Sequence, residues 1–242
     1  MSMFLHRIKI RHFVLLALSL ISALTGYAED RILFRDDFVT LADWEPLEFP
    51  KIKRHTIYGI QDQGDDRGLV AESTNAASAL VHKQSFDVTQ YSTIRWQWKV
   101  DNVYAEGNYR EKSGEDYPLR VYVFFEYDPQ TAPFGMKITY GLAKTVYGRY
   151  PPHSSVNYIW ANRAEETEPA KSPYTDRSIM IPLQSGPENT GRWMEQTVNV
   201  LNDYRQAFGE DPPKKAFLAI MNDSDNTGGS AVSHIRFIEV RK

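Results

Sequence analysis

The chain of 242 residues contains no cysteine. That absence excludes disulfides, a thiolate nucleophile, thiolate metal ligands and a lipid carried on an amino-terminal cysteine, so packing and hydrogen bonds must hold the fold. Long apolar runs are also scarce. The one at residues 13–24 falls short of the ~20 residues a membrane-crossing helix needs. No cluster of lysines and arginines occurs, which argues against binding nucleic acid or anionic lipid heads through their phosphates. Catalytic signatures are missing as well. There is no Gly-x-Ser-x-Gly elbow, no phosphate-binding glycine loop and no dinucleotide fingerprint. His55, His82, His153 and His234 never pair at metal-ligand spacing, which removes zinc.

The amino terminus runs from Arg7, Lys9 and Arg11 through the apolar stretch 13–24 to Gly26, Tyr27 and Ala28. A charged region, a hydrophobic region and small residues in that order predict a signal peptide over residues 1–28, with export to the periplasm or medium and no membrane insertion after cleavage. Losing those three basic residues takes the formal charge from −3 to −6. The remaining segment, 29–242, suits a single domain able to bury roughly 70% of its unfolded surface.

Strand patterns recur along it. Residues 93–100 alternate, with Ile94, Trp96, Trp98 and Val100 on one face and Arg95, Gln97 and Lys99 on a wet one. Residues 119–127 are more continuously apolar, as expected of a central strand covered on both sides. Further strands are expected at 32–38, 56–60, 68–72, 79–82, 137–140, 156–161, 178–183, 193–198, 216–220 and 235–240. One helix is expected after Asn199 as N-cap, where Leu201, Tyr204 and Phe208 recur at helical spacing until Gly209. Segments 102–118, 129–133 and 164–173 read as loops. Ten or more short strands, long loops and one short helix predict an all-β jelly-roll β-sandwich.

Residues 221–229, Met-Asn-Asp-Ser-Asp-Asn-Thr-Gly-Gly, concentrate oxygen-bearing side chains between two strand-like runs, where a sheet would hold them at one edge. Asp223, Asp225 and Thr227 followed by Gly228 match the first half of a calcium loop. The second half fails, because His234 stands where the closing acid belongs and no helices flank the loop. Asp and Asn also favour ordinary turns. Calcium, through Asp223, Asp225 and Thr227, is the only cofactor the pattern suits. Segment 111–118 leads acids Glu115 and Asp116 straight into the central strand beside Arg120, whose guanidinium fork can hold a carboxylate or a pair of hydroxyls. Glu195 follows Trp193 by two residues, an aromatic beside an acid on one strand face. Trp160 supplies a candidate ring for stacking, against the competing reading that such rings fill the core.

Gly114 to Val123 (GEDYPLRVYV), Asn157 to Ala161 (NYIWA), Asp203-Tyr204-Arg205 with Phe208-Gly209, and the 223–228 loop together resemble the bacterial domain of unknown function family 3047 over nearly the whole mature chain. The resemblance brings no established activity. It implies a jelly roll similar to galactose-binding and concanavalin-like modules, and a carbohydrate or envelope polysaccharide as partner. On this reading Asp116, Arg120, Trp160, Glu195, Asp223, Asp225 and Asn226 line a ligand site, and Gly228 lets the loop backbone approach closely. Two other classes stay open: a polysaccharide hydrolase or lyase using two of the acids, and a structural module of the envelope.

Overall fold

The structure, a computed structural model, describes residues 31–147 and 150–242, and the expected signal peptide over 1–28 lies outside the described residues. In chain order the strands are β1 (Ile32–Asp36), β2 (Trp44–Glu48), β3 (Ile57–Gln61), β4 (Gly68–Thr74), β5 (Ala77–His82), β6 (Phe86–Asp87), β7 (Thr93–Val100) and β8 (Tyr117–Phe125). Helix α1 (Phe134–Tyr147) comes next, then β9 (Ser154–Ala161), β10 (Ala170–Ser172), β11 (Thr175–Ser185) and β12 (Met194–Asn199). Helix α2 (Val200–Phe208) precedes the last two strands, β13 (Lys215–Asp223) and β14 (Ser230–Arg241). One sheet has the order β12-β7-β14-β4-β3, with β1 also on β14. The other has the order β10-β11-β9-β8-β13-β5-β2, with β6 also on β13. The chain crosses between the sheets repeatedly, at β4 to β5, β7 to β8 and β12 to β13 to β14. This is a jelly-roll β-sandwich.

Period-two patterning dictates which residues meet between the sheets. Ile94, Trp96, Trp98 and Val100 from β7 face Leu119, Val121, Val123 and Phe125 from β8, and Leu218 and Ile220 from β13, all at most 1% exposed. Trp96, Trp98, Tyr158 and Trp160 form a chain of ring contacts at 5.4–5.7 Å between centroids that ties the two sheets together. Strand β8 lies between β9 and β13 with Tyr122 buried on its outer side, as its continuous apolar run predicts. The other face of β7 is drier than alternation implies. Lys99 is 7% exposed, with Nζ 2.7 Å from Asp66 and lying over the Trp193 ring.

Helix α2 follows its local signals. The Asn199 side chain accepts a hydrogen bond from the Asn202 N–H, and Gly209 closes the helix at φ 71°. Asn199→Ala is expected to cost about 1 kcal/mol, measurable as a lower midpoint in urea.

Helix α1 replaces the strand expected at 137–140. A four-residue alternation cannot distinguish the two periods when the larger spacing, Phe134, Ile138 and Leu142, points into solvent and leaves no inward face to read. Strand β2 escapes a sequence reading because Pro46 interrupts it, and it is tolerated there because β2 is an edge strand. Strand β10, inside the segment expected to be a loop at 164–173, forms only through pairing with β11.

Candidate functional site

The alternation that builds the core also sorts the 221–225 run. Asn222 points between the sheets, where its Nδ2 donates to the carbonyls of Ala71 and Ala231 and its Oδ1 accepts from the Tyr104 hydroxyl at 2.7 Å. Ser224 shares a 2.8 Å hydrogen bond with Ser73, and its N–H donates to the Ala76 carbonyl. These inward residues anchor the loop. Met221 and Asp223 therefore turn to the outer face of the larger sheet, on the side of Arg120 and Tyr122 from β8. The β8–β13 register slips by one residue between Met221 and Asp223, placing Asp223 opposite Tyr117.

Arg120 donates from Nη2 to Asp223 Oδ2 at 3.1 Å, with the two side chains 14% and 4% exposed. Its guanidinium also lies over the Tyr117 and Tyr122 rings at 5.1 and 5.6 Å. Asp223 Oδ1 and Arg120 Nε are buried without hydrogen-bond partners. Carboxylate oxygens of Asp116, Asp223 and Asp225 lie within 4.8 Å of one another. Asp116 also holds the loop: its Oδ1 accepts from the N–H and the side-chain amide of Asn226, and its Oδ2 accepts from the Thr227 N–H at 2.6 Å. Glu115, 7% exposed, accepts from the Ser172 hydroxyl.

Burial dominates the electrostatics. It pushes the Asp223 carboxyl well above its ordinary range, opposed by Arg120 and assisted by Asp116, Glu115 and Asp225. Burial likewise raises Glu115, with Arg120 opposing, and raises Asp225, where Asp116 adds to the shift.

The structure thus brings together Asp116, Arg120, Asp223, Asp225 and Asn226, and leaves two expected residues elsewhere. Trp160 is 0% exposed, packed on Trp98 with its indole N–H on the Gly186 carbonyl, so neither ring face is free to stack on a ligand. Its strand alternates, and position 160 falls on the core side. Glu195 lies on β12 in the opposite sheet, paired with Arg95 at 2.7 Å, because its strand joins β7 and not β8. Thr227 contributes its backbone N–H to Asp116, while its Oγ1 accepts from Gly229, so the third carboxylate of the cluster is Asp116. Gly228 has φ +70° and no atom within 4 Å of a Cβ built on it, so its glycine serves the turn conformation and not a close approach.

Several residues that a sequence reading passes over complete the surroundings. Tyr174, 55% exposed, donates from its hydroxyl to Asn226 Oδ1 and sets an open ring beside the acids, with Lys112 over it at 5.3 Å. Asn162 accepts from the Tyr104 N–H and donates to the Asp116 carbonyl, and Glu166 accepts from the N–H groups of Tyr109, Asn162 and Arg163. These two residues fasten segment 104–116 to the end of β9. No local signal marks this role, since Tyr104, Tyr109 and Asp116 are tens of residues away along the chain. Two shallow cavities, about 300 Å³ lined by Arg54, His55 and Glu72 and about 220 Å³ lined by Asp87, Lys214 and Lys215, lie away from the carboxylates. The cluster is closed over, with its open side at Asp225, Asn226 and Tyr174. Among the described residues no helix is long and apolar enough to cross a membrane.

The backbone is similar to that of a winged bean acidic lectin complexed with methyl-α-D-galactose, at 11% identity over 86% of this chain and 98% of the lectin, TM-score 0.38. It is also similar to the Crh5 transglycosylase in complex with NAG, at 11% identity over 86% and 83% of the two chains, TM-score 0.41. A third similar structure is endoglucanase 3 of Trichoderma harzianum, from family GH12, at 7% identity over 83% and 99%, TM-score 0.36. No curated protein matches the chain. The family model described as a protein of unknown function (DUF3047) matches residues 42–239, and the chain belongs to that family.

Proposed function

We propose that this is an exported protein that binds a carbohydrate, or a related polar ligand of the cell envelope, at the rim formed by Tyr174, Asn226 and Asp225. The observation that carries the reading is the exposed Tyr174 ring seated against a fixed group of acids and amides. An aromatic face next to aligned hydrogen-bonding groups suits a sugar, whose C–H face stacks while its hydroxyls are held at the edge. Export rests on the order of charged, apolar and small residues over 1–28.

The test is retention on a panel of soluble polysaccharides. Tyr174→Ala and Asp225→Ala should each weaken binding of whichever polysaccharide the wild type retains by about tenfold or more, the size of effect expected for an aromatic anchor. In chelator their thermal midpoints should stay near that of the wild type, since both residues are at the surface or half-buried. Unchanged retention in both variants, or no retention by the wild type, would overturn the proposal.

A second reading, hydrolysis, draws on the carboxyls of Glu115 and Asp225 being raised by burial, as a general acid requires. It predicts release of reducing ends from the retained polysaccharide, lost in Glu115→Gln.

A further inference from the structure

Four carboxylates, Glu115, Asp116, Asp223 and Asp225, act on one another at this end of the larger sheet, with Arg120 the cation that opposes them. One guanidinium against four carboxylates leaves an excess of three negative charges when all are ionised. Crowded acids alone do not make a site, because exposed ones are simply solvated. Here a separate observation points to a ligand. The Asp223 side chain is 4% exposed, its Oδ2 takes the Arg120 bond, and its Oδ1 has no hydrogen-bond partner among the described residues. A buried carboxylate oxygen left bare costs the desolvation of that oxygen with nothing in return.

The geometry points to a divalent cation of the calcium class held by Asp116, Asp223 and Asp225. A donor set made of carboxylate oxygens alone is hard, which suits calcium, magnesium or manganese and not zinc or copper. Two oxygens on one calcium ion are at most about 4.6–5.2 Å apart, twice the metal–oxygen distance. All three carboxylates fall within 4.8 Å of one another, a spacing that one ion spans with at most a small side-chain adjustment. The surroundings favour this ion over a bound sugar deeper in the fold, because Asp116 and Asp223 are buried, at 0% and 3% exposure. The ion would be enclosed by side chains from two segments, 116 and 223–225, and would add to the hydrogen bonds that already hold Asn226 and Thr227 against Asp116.

This site goes beyond the carbohydrate reading and is tested without any glycan. The purified chain, stripped with chelator, is melted with and without calcium. Saturating calcium should raise the midpoint by about 5–10 °C, the shift that a ligand present at a hundredfold its Kd gives a domain of this size. Magnesium should raise it less, since it demands a tighter octahedral shell. Asp225→Asn should lose at least half of the calcium shift and yet melt no lower than the wild type in chelator, because it removes a like charge from the cluster. Asp223→Asn should lose the shift as well. Terbium, a calcium surrogate, should give luminescence sensitised by Tyr117 and Tyr174 in the wild type, and calcium should displace it. A wild-type midpoint that is the same in calcium and chelator would overturn the site, as would a full shift retained in Asp225→Asn. A wild type that retains no glycan but shows the full calcium shift would instead remove only the carbohydrate reading.

Discussion

Arg120→Ala is expected to cost about 3–5 kcal/mol in chelator at neutral pH, the penalty for stranding one partner of a buried ion pair. Asp223 would be left 4% exposed among Glu115, Asp116 and Asp225 with no cation against it. An exposed pair would lose less than about 1 kcal/mol on the same change, so urea unfolding followed by tryptophan fluorescence separates the two cases. The double replacement of Arg120→Met with Asp223→Leu should recover most of the loss, since it removes the stranded charge along with its partner. The pH dependence follows from the direction of the Asp223 shift. Burial already raises this carboxyl and Arg120 is the main group opposing the rise, so without Arg120 it climbs further. The native state then holds more protons than the unfolded chain. Stability present in acid is lost as the pH climbs from the unfolded carboxyl range, near ~4, through the raised native value. The deficit of Arg120→Ala should therefore be greatest at neutral pH and shrink towards pH ~4. A deficit independent of pH would mean that Arg120 acts by packing on Tyr117 and Tyr122 and not by charge.

Trp160→Ala is expected to lower stability by about 3–5 kcal/mol, as large-to-small changes of core aromatics do. For a domain of this size that corresponds to roughly 6–20 °C in the thermal midpoint. The ring is fully buried, links Trp98 to the larger sheet, and its N–H is the donor to the Gly186 carbonyl. Alanine would leave a cavity and a bare carbonyl at once. Trp160→Phe should cost less, because it keeps most of the volume. In either variant the protein that remains folded should retain polysaccharide as the wild type does, since the ring faces the core and not the rim at Tyr174. Reduced retention at full foldedness would return Trp160 to the binding surface.

Much of the fold is legible in short stretches of the chain. Residues 93–100 declare a strand and its core face through strict alternation, and Ile94, Trp96, Trp98 and Val100 are all 0% exposed. The span 199–209 declares a helix through its cap, its spacing and its terminal glycine, and α2 occupies that span. Where the local signal is short or conflicts with a proline, the reading fails. Four alternating residues at 137–140 sit inside α1, and Pro46 hides β2. The site divides along the same line. Asp223 and Asp225 stand out as an oxygen-rich loop because they are near in sequence, whereas Tyr174, Asn162 and Glu166 carry no mark, since the bonds that tie them to segment 104–116 or to the acidic loop span 46–58 residues of chain. Glu195 and Trp160 show the converse. Both have the right chemistry, but their strands direct one to the opposite sheet and the other to the interior.

By itself the sequence determined an all-β chain without disulfides, which residues of each strand share a face, and that an acidic loop joins the last two strands. These are properties of periodicity and composition, set by φ/ψ geometry over a few residues at a time. Only the tertiary structure decided that Asp223 meets Arg120 across 103 positions of chain, that Asp116 and not Thr227 joins it, and that one of its oxygens is left bare in the interior. Burial and charge pairing depend on which strands become neighbours. That choice is made by packing the whole sandwich, since the free energy of a carboxylate is set by everything within several ångströms and not by the residues beside it in the chain.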